Sequence, residues 1–353
     1  MNPTISVILP SRNEKETIGQ CIREIKKVAD ENNLPIEIIV SDSSNDGTEK
    51  IAGTEGARVI KHDTEGYGFA VKEGVKNASG EIIIYADADN TYQFGDIPKF
   101  LKELEKSDIV LGSRFRGTME TGAMPLLHRF LGTPLFNMLL FILLGIKTSD
   151  SQSGYRALRK KTFLELDQKT NGMEFATEMM IKAKRKNLVI QEIATNYSRR
   201  GGTSKLRRYR DGFAHLKYIF IQTPVVFYLV TGSMLFFTGV IGFLWGNHIA
   251  PFLTSATIKI FFPIFGVQIL FLGLFAKTYL ATRFGETDEF IKNFYKKFRF
   301  SFALVLGFLF IGGAFVMKIT GTSEAEFDKT LVSLLIGSQV IFNATILSTL
   351  SIK

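Results

Sequence analysis

The chain predicts an α/β domain built on a doubly wound, mostly parallel sheet, followed by an all-α transmembrane domain of four helices. Three observations carry that prediction. Short apolar runs ending in polar residues alternate with helical patterns through the N-terminal half of the 353 residues. Two of those runs stop at carboxylates, Asp42 and the pair Asp87/Asp89. From Pro224 onward, long apolar stretches dominate. Alternating strands and helices of this length build a parallel sheet, and uncharged stretches of about 20 residues are long enough to span a bilayer.

Composition narrows the partners. The chain carries 43 Lys+Arg against 34 Asp+Glu, formally +9. Such a balance could serve nucleic acid, but the apolar stretches offer a better account, because anionic lipid headgroups attract juxtamembrane Lys and Arg. No nucleic-acid partner is expected, and self-association is left open. The single cysteine, Cys21, has no internal disulfide partner and falls in a helical pattern with Ile18, Ile22 and Ile25, as a core thiol does. Ile5–Pro10 is too short for the apolar region of a signal peptide, so none is expected at this end.

In order, Ile5–Pro10 is the first strand, Ser11–Glu14 a polar loop, and Glu14–Ala29 an amphipathic helix. Ile36–Val40 is the second strand, running into a polar loop whose Asp46-Gly47 turn opens a helix. Arg58–Lys61 is a short third strand, Gly66-Tyr67-Gly68 precedes a helix over Phe69–Asn77, and Gly80 punctuates before Ile82–Tyr85. The strand ends at Asp42 and Asp87 then share one edge of the sheet, where ligands of open α/β sheets bind. Asp87 and Asp89 repel one another unless a cation sits between them, and a hard cation such as Mg²⁺ or Mn²⁺ is commonly shared with substrate phosphates. One carboxylate for base or ribose and a pair for a metal is an arrangement suited to a nucleotide.

Leu131–Ile146 is apolar and uncharged but short for a span, and Gly132 and Pro134 interrupt it; a buried or interfacial helix is expected. Ser204–Ile221 sets Leu206, Tyr209, Phe213, Leu216 and Ile219 near helical spacing, studded with Lys205, Arg207, Arg208, Arg210 and Lys217, as in a helix lying on a membrane surface. Four spans follow, at 224–246, 258–280, 300–318 and 330–351. The loop after the second holds Arg283, Lys292, Lys296, Lys297 and Arg299, whereas Asn247–Thr257 has no Lys or Arg. By the positive-inside bias the soluble domain, the middle loop and the C-terminus are cytoplasmic. The expected domains are 1–204, a juxtamembrane helix over 205–222, and a membrane domain over 223–353.

The ordered motifs Pro10-Ser11-Arg12-Asn13-Glu14, Val40-Ser41-Asp42-Ser43-Ser44-Asn45-Asp46-Gly47-Thr48, Ala78-Ser79-Gly80-Glu81-Ile82 and Asp87-Ala88-Asp89 resemble those of family 2 glycosyltransferases of the GT-A, Rossmann-like fold. The later set, Gly112-Ser113-Arg114, His128-Arg129, Asp150–Arg156 and Arg199–Leu206, resembles the polyprenyl-phosphate hexose synthases, which make dolichyl-phosphate glucose or mannose. The resemblance runs from Ile5 to Tyr218. It departs at Asn90-Thr91, where many dolichyl-phosphate mannose synthases have Leu-Gln, and at Gly201, which leaves open which of Arg199 and Arg200 serves the acceptor.

The resemblance implies a metal-dependent, inverting hexosyltransferase. Asp87 and Asp89 would hold Mg²⁺ or Mn²⁺; Pro10, Arg12, Asn13, Glu14, Asp42 and Asp87 would bind the nucleotide of a UDP- or GDP-hexose. Arg114, Arg129, Thr133, Ser153, Arg199, Arg200 and Lys205 would hold the phosphate of a polyprenyl or dolichyl acceptor, with Asp87, Asp89, Arg114 and Arg129 catalytic. A phosphate monoester is largely a dianion at neutral pH, its second pKa being about 6, so it needs cations rather than a general base. Arginine suits it because its fork matches phosphate oxygens. Glu174 and Glu178 are read as structural or sugar-contacting. The Gly172–Glu178 and Asp211–Leu216 stretches look more like the glucose branch, so a UDP-glucose-type donor is favoured and GDP-mannose is the alternative. A processive polysaccharide synthase would carry a Gln-x-x-Arg-Trp motif, and the only tryptophan, Trp245, lies inside a span. A non-enzymatic lipid-carrier flippase is disfavoured by the intact Asp87/Asp89 pair.

Overall fold

The structure is a computed structural model describing residues 4–202, 208–249, 255, 257–284, 289–297, 299–320 and 324–350. Lys205, expected at the acceptor, lies outside the described residues. The chain divides into two compact units, Met1–Ile219 and Phe220–Lys353.

In the first unit, strands β1 (Ile5–Ser11), β2 (Ile36–Asp42), β3 (Arg58–Lys61) and β4 (Ile82–Tyr85) alternate with helices α1 (Ile18–Glu31), α2 (Thr48–Thr54) and α3 (Tyr67–Asn77). Helix α4 (Ile97–Leu104), β5 (Ile109–Ser113), α5 (Thr133–Leu144), β6 (Arg156–Arg159), α6 (Lys160–Glu165), α7 (Phe175–Arg185) and β7 (Ile190–Ala194) follow. The sheet order is β3-β2-β1-β4-β6-β5-β7. Only β6 runs against its neighbours, pairing antiparallel with both β4 and β5. The expected mostly parallel sheet is therefore present.

Its register sets the site. Ser11 pairs with Asp42 across β1 and β2, and Ile8 pairs with Tyr85 across β1 and β4. The carboxyl ends of these strands consequently open on one edge, as placing Asp42 and Asp87 together requires. The strands are near-continuous apolar runs because both faces are covered. Val7, Leu9 and Ile84 pack with Cys21, Ile22 and Phe100 on one side, while Ile8, Ile83 and Tyr85 pack with Val71, Phe175 and Met179 on the other.

The start of the first helix and the apolar segment differ from expectation. The first helix begins at Ile18, not Glu14. Asn13 takes a left-handed φ of 54°, and Thr17 and Ile18 donate their N–H groups back to the Glu14 carbonyl, so 13–17 is a turn that leaves Glu14 beside the strand ends. The apolar segment starts as a π-turn over His128–Gly132 and continues as α5, whose Thr133 and Leu140 are buried while Met138, Phe141 and Ile142 are exposed.

Helix α8 (Arg208–Gln222) ends just beyond the boundary between the units. In the second unit, among the described residues, α9 (Pro224–Ile249), α10 (Phe262–Phe284), α12 (Phe300–Thr320) and α13 (Glu324–Leu350) are four helices long and apolar enough to cross a membrane, with short α11 (Glu289–Lys297) between the second and third. The spans over Phe227–Leu244, Ile258–Tyr279, Phe300–Ile319 and Phe327–Leu350 follow the hydropathy reading closely. Without water to expel, such helices associate through close packing and polar contacts. A Cβ on Gly337 would stand 2.7 Å from the Gly307 carbonyl, and one on Gly232 2.8 Å from that of Gly266, so glycines let α12 meet α13 and α9 meet α10. Asn343 donates to Gln268 Oε1 at 3.2 Å, tying α13 to α10.

Candidate active site

A cleft of about 320 Å³ opens at the strand ends of the first unit. Pro10, Ser11, Arg12 and Glu14 form one wall, Glu65, Gly66 and Tyr67 another, and Asn171–Met173 with Arg210 and Asp211 close it. Asp87 and Arg200 line it from within.

Asp87 follows β4 and is half-buried; Asp89 is buried. Burial pushes the Asp87 carboxyl up to about 7, and the neighbouring Asp89 charge adds to it, against the opposing pull of Arg200 and Arg114. The Thr91 N–H donates to Asp89 Oδ1 at 3.1 Å, and the Thr91 hydroxyl donates to the same oxygen. Arg200 Nη2 lies 3.1 Å from Asp89 Oδ2 and 3.2 Å from Glu14 Oε1. The Arg200 Nε is buried without a partner, as is the Ser11 hydroxyl.

The cleft's acidic side fits a hard divalent cation. Asp87 and Asp89 supply carboxylate oxygens, burial first and their mutual repulsion second raising the Asp87 pKa, and Gly154 leaves room for one of them: a Cβ there would stand 2.7 and 2.8 Å from the two Asp87 oxygens. Among the described residues no group of three or more His, Cys, Asp or Glu forms a metal cage. The remaining ligands would be water and substrate phosphate oxygens, as is usual for Mg²⁺.

The other expected nucleotide residues fall into two sets. Pro10, Arg12 and Glu14 line the cleft, with Arg12 Nη1 on Glu65 Oε2 at 2.9 Å. Asp42 is fully buried just behind them; Lys61 Nζ lies 2.8 Å from its Oδ2, and the Ser44 hydroxyl donates to its Oδ1. Asn13 accepts the Asn45 N–H at 3.0 Å and shapes the loop.

The expected acceptor residues do not converge on this cleft. Arg114 is clamped by Asp150, which takes its Nε and Nη2 at 2.7 Å each, and its guanidinium lies 5.2 Å from the Tyr197 ring centre. Arg129 sits over Phe130 at 5.4 Å. Thr133 is buried at the start of α5, and the Ser153 hydroxyl donates to the Gly112 carbonyl at 2.6 Å. The two adjacent arginines separate cleanly: Arg199 Nε donates to the Thr121 carbonyl at 2.7 Å, while Arg200 faces the carboxylates. Glu178 is consumed by the loop, accepting the N–H groups of Lys169 and Thr170 at 2.8 Å each and Lys182 Nζ at 2.8 Å.

Sequence reasoning did not name Glu65, Tyr67, Asn171, Met173, Arg210 or Asp211 as cleft residues. The Gly66-Tyr67-Gly68 break was a local signal for the first two. The others reach the cleft only through tertiary folding.

The fold and this strand-end cleft define a GT-A, Rossmann-like glycosyltransferase domain. Its fold matches the solved mannosyl-3-phosphoglycerate synthase of Rubrobacter xylanophilus with a TM-score of 0.50 at 23% identity, over 62% of this chain and 72% of that one. The model for Glycosyl transferase family 2 matches residues 6–166. The low-salt glycan biosynthesis hexosyltransferase Agl6 of Haloferax volcanii is 31% identical across 99% of this chain and 89% of its own length. A dolichyl-phosphate hexose transferase of the same organism is 31% identical over 60% of this chain and 90% of its own. The chain belongs to glycosyl transferase family 2, and it is a glycosyltransferase.

Proposed function

We propose that this enzyme transfers a hexose, with inversion, from a nucleoside diphosphate sugar of the UDP-glucose type to a polyprenyl, dolichyl-type phosphate. The observation that carries the reading is the strand-end cleft lined by Asp87 and Arg200, with Arg200 ion-paired to the buried Asp89. The near-full-length relative named a hexosyltransferase and the shorter one named a dolichyl-phosphate hexose transferase support the reaction class and the acceptor. Four helices able to cross a bilayer suit a lipid substrate.

In this reading Asp87 and Asp89 would hold Mg²⁺ or Mn²⁺, which would neutralise the diphosphate leaving group. Pro10, Arg12 and Glu14 orient the nucleotide, with Asp42 and Asn13 fixing the loop behind them. The acceptor phosphate attacks as its own dianion, so no side chain acts as general base. Of the arginines expected to hold the acceptor phosphate, Arg200 lines the cleft; Arg114, Arg129, Thr133, Ser153 and Arg199 shape the region that receives the lipid phosphate. The catalytic domain and C-terminus face the cytoplasm, where nucleotide sugars are made. Residues 1–204 form the catalytic domain, 205–222 the juxtamembrane segment that carries α8, and 223–353 the membrane anchor.

The test is a panel of UDP- and GDP-hexoses offered to the detergent-solubilised full chain with long-chain polyprenyl phosphate. A lipid-phosphate hexose should form from a UDP-glucose-type donor, and Asp89→Ala or EDTA should abolish it. Turnover undiminished in EDTA would remove the metal from the reading; no lipid-linked product from any donor would remove the acceptor.

A further inference from the structure

Arg200 occupies the place that a metal cation would claim. Its Nη2 lies 3.1 Å from Asp89 Oδ2 and 3.2 Å from Glu14 Oε1, with side chains only 3% and 7% exposed at the two carboxylates. Asp89 Oδ1 is meanwhile taken by Thr91. A guanidinium on Oδ2 and two donors on Oδ1 leave Asp89 fully engaged by the protein itself. The arginine is less settled than its target, since its Nε is buried without a partner. The Ser11 hydroxyl, on a residue 4% exposed at the same cleft, also lacks one. Both unmet groups can donate, and an anion's oxygens would satisfy them.

The backbone carrying Arg200 is anchored. The Gly201 N–H donates to the Asp89 carbonyl at 3.0 Å, and the Ser198 N–H donates to the Thr91 carbonyl at 2.9 Å. Motion is therefore open to the side chain rather than to the loop segment that bears it.

We infer that Arg200 is an internal cation latch: it neutralises Asp89 in the empty cleft and releases it only when a diphosphate draws the guanidinium away. This rests on the proposed reading of the cleft as a metal and nucleotide-diphosphate site. Two cations compete for one carboxylate oxygen, so Arg200 opposes metal entry while the cleft lacks an anion. A diphosphate offers Arg200 oxygens in place of Asp89, removing the competitor and adding metal ligands in one event. Metal and nucleotide thus bind cooperatively, and the coupling is reciprocal. The latch keeps the acidic site from holding a metal that has no leaving group to serve.

The sign of this effect is opposite to that of a simple binding arginine. Mn²⁺ binding to the detergent-solubilised full chain can be followed by the electron paramagnetic resonance of the free ion, alone and with UDP or GDP. Arg200→Gln should bind Mn²⁺ alone about tenfold more tightly than wild type, and nucleotide should add less to that affinity, because part of the coupling is gone. Arg200→Lys keeps the charge and should stay near wild type, which also controls for folding. Mn²⁺ affinity unchanged or weakened in Arg200→Gln, with nucleotide-dependent binding intact in both proteins, overturns the latch alone. Mn²⁺ binding that is indifferent to Asp89→Asn overturns the latch together with the site on which it rests.

Discussion

Arg114 and Asp150 close on one another as a fork: Nε and Nη2 each lie 2.7 Å from a different carboxylate oxygen, and the Arg114 N–H adds a third bond at 3.0 Å. Burial alone would lower the arginine's pKa, but the charge and hydrogen bonds of Asp150, together with Tyr92 and Tyr197, hold it well above its ordinary value. Breaking a buried pair from one side strands a charge, which costs about 3–5 kcal/mol, whereas removing both partners costs far less. Asp150→Ala should therefore destabilise the enzyme by about that amount, and Arg114→Met should partly relieve it. A double-mutant cycle on denaturant unfolding measures this. Additive losses would show that the fork is not what holds the two residues.

His215 provides a pH signature. It is buried on α8, where burial first and the Arg156 charge second lower its pKa from 6.5 to about 4. The Thr177 hydroxyl accepts from Gln152 Nε2 at 3.1 Å and lies 2.7 Å from His215 Nδ1. A histidine held neutral contributes stability that is present above 6.5 and is lost as pH falls toward 4, because the unfolded chain takes up the proton first. The loss should reach roughly 3 kcal/mol. Unfolding free energies between pH 7 and 4 should flatten in His215→Asn relative to wild type. An equal slope in both would assign the acid sensitivity elsewhere.

Much of this architecture is readable in local pattern, and the parts that are not share a cause. Ile82–Tyr85 stopping at Asp87, or Ile36 onward stopping at Asp42, states a buried strand and its ligand-facing end in a few residues. The spans declare themselves by length and absence of charge. The place of β6 between β4 and β5 does not, because strand pattern carries no information about which neighbour a strand chooses. Arg210 and Asp211 look like the polar face of a surface helix until α8 brings them to the cleft. Arg114 looks like a phosphate ligand until Asp150, 36 residues away, is found bonded to it. Choosing Arg200 over Arg199 likewise depends on Glu14 and Asp89, which only the fold brings together.

Glu178 distinguishes a loop clamp from a base. All of its carboxylate's described bonds go to Lys169, Thr170 and Lys182, and they hold the carboxyl below the ordinary carboxylate range despite burial. The loop so fastened carries Asn171–Met173, which line the cleft. Glu178→Gln should raise the donor KM severalfold and leave kcat within about tenfold, with faster hydrogen exchange over 168–173. A general base would contribute about 10²–10⁴-fold to kcat, so a loss of that size with KM unchanged would return Glu178 to the chemistry.

Gly154 is the most severe single test of the carboxylate geometry. Its backbone is pinned, donating to Tyr92 Oη at 2.9 Å and accepting from Tyr67 Oη at 3.2 Å, so the residue cannot retreat from Asp87. In Gly154→Ala the new methyl would sit 2.7 and 2.8 Å from the two Asp87 oxygens, well inside contact distance. With the backbone at 154 held, the Asp87 side chain must rotate away, carrying its oxygens from the position shared with Asp89. Overpacking of this kind costs about 1–3 kcal/mol, a modest loss for a folded domain. Transfer activity should fall at least a hundredfold while the unfolding midpoint moves little. Mn²⁺ affinity should fall with it. An active Gly154→Ala enzyme of normal metal affinity would mean that Asp87 works from another rotamer than the one that faces Gly154.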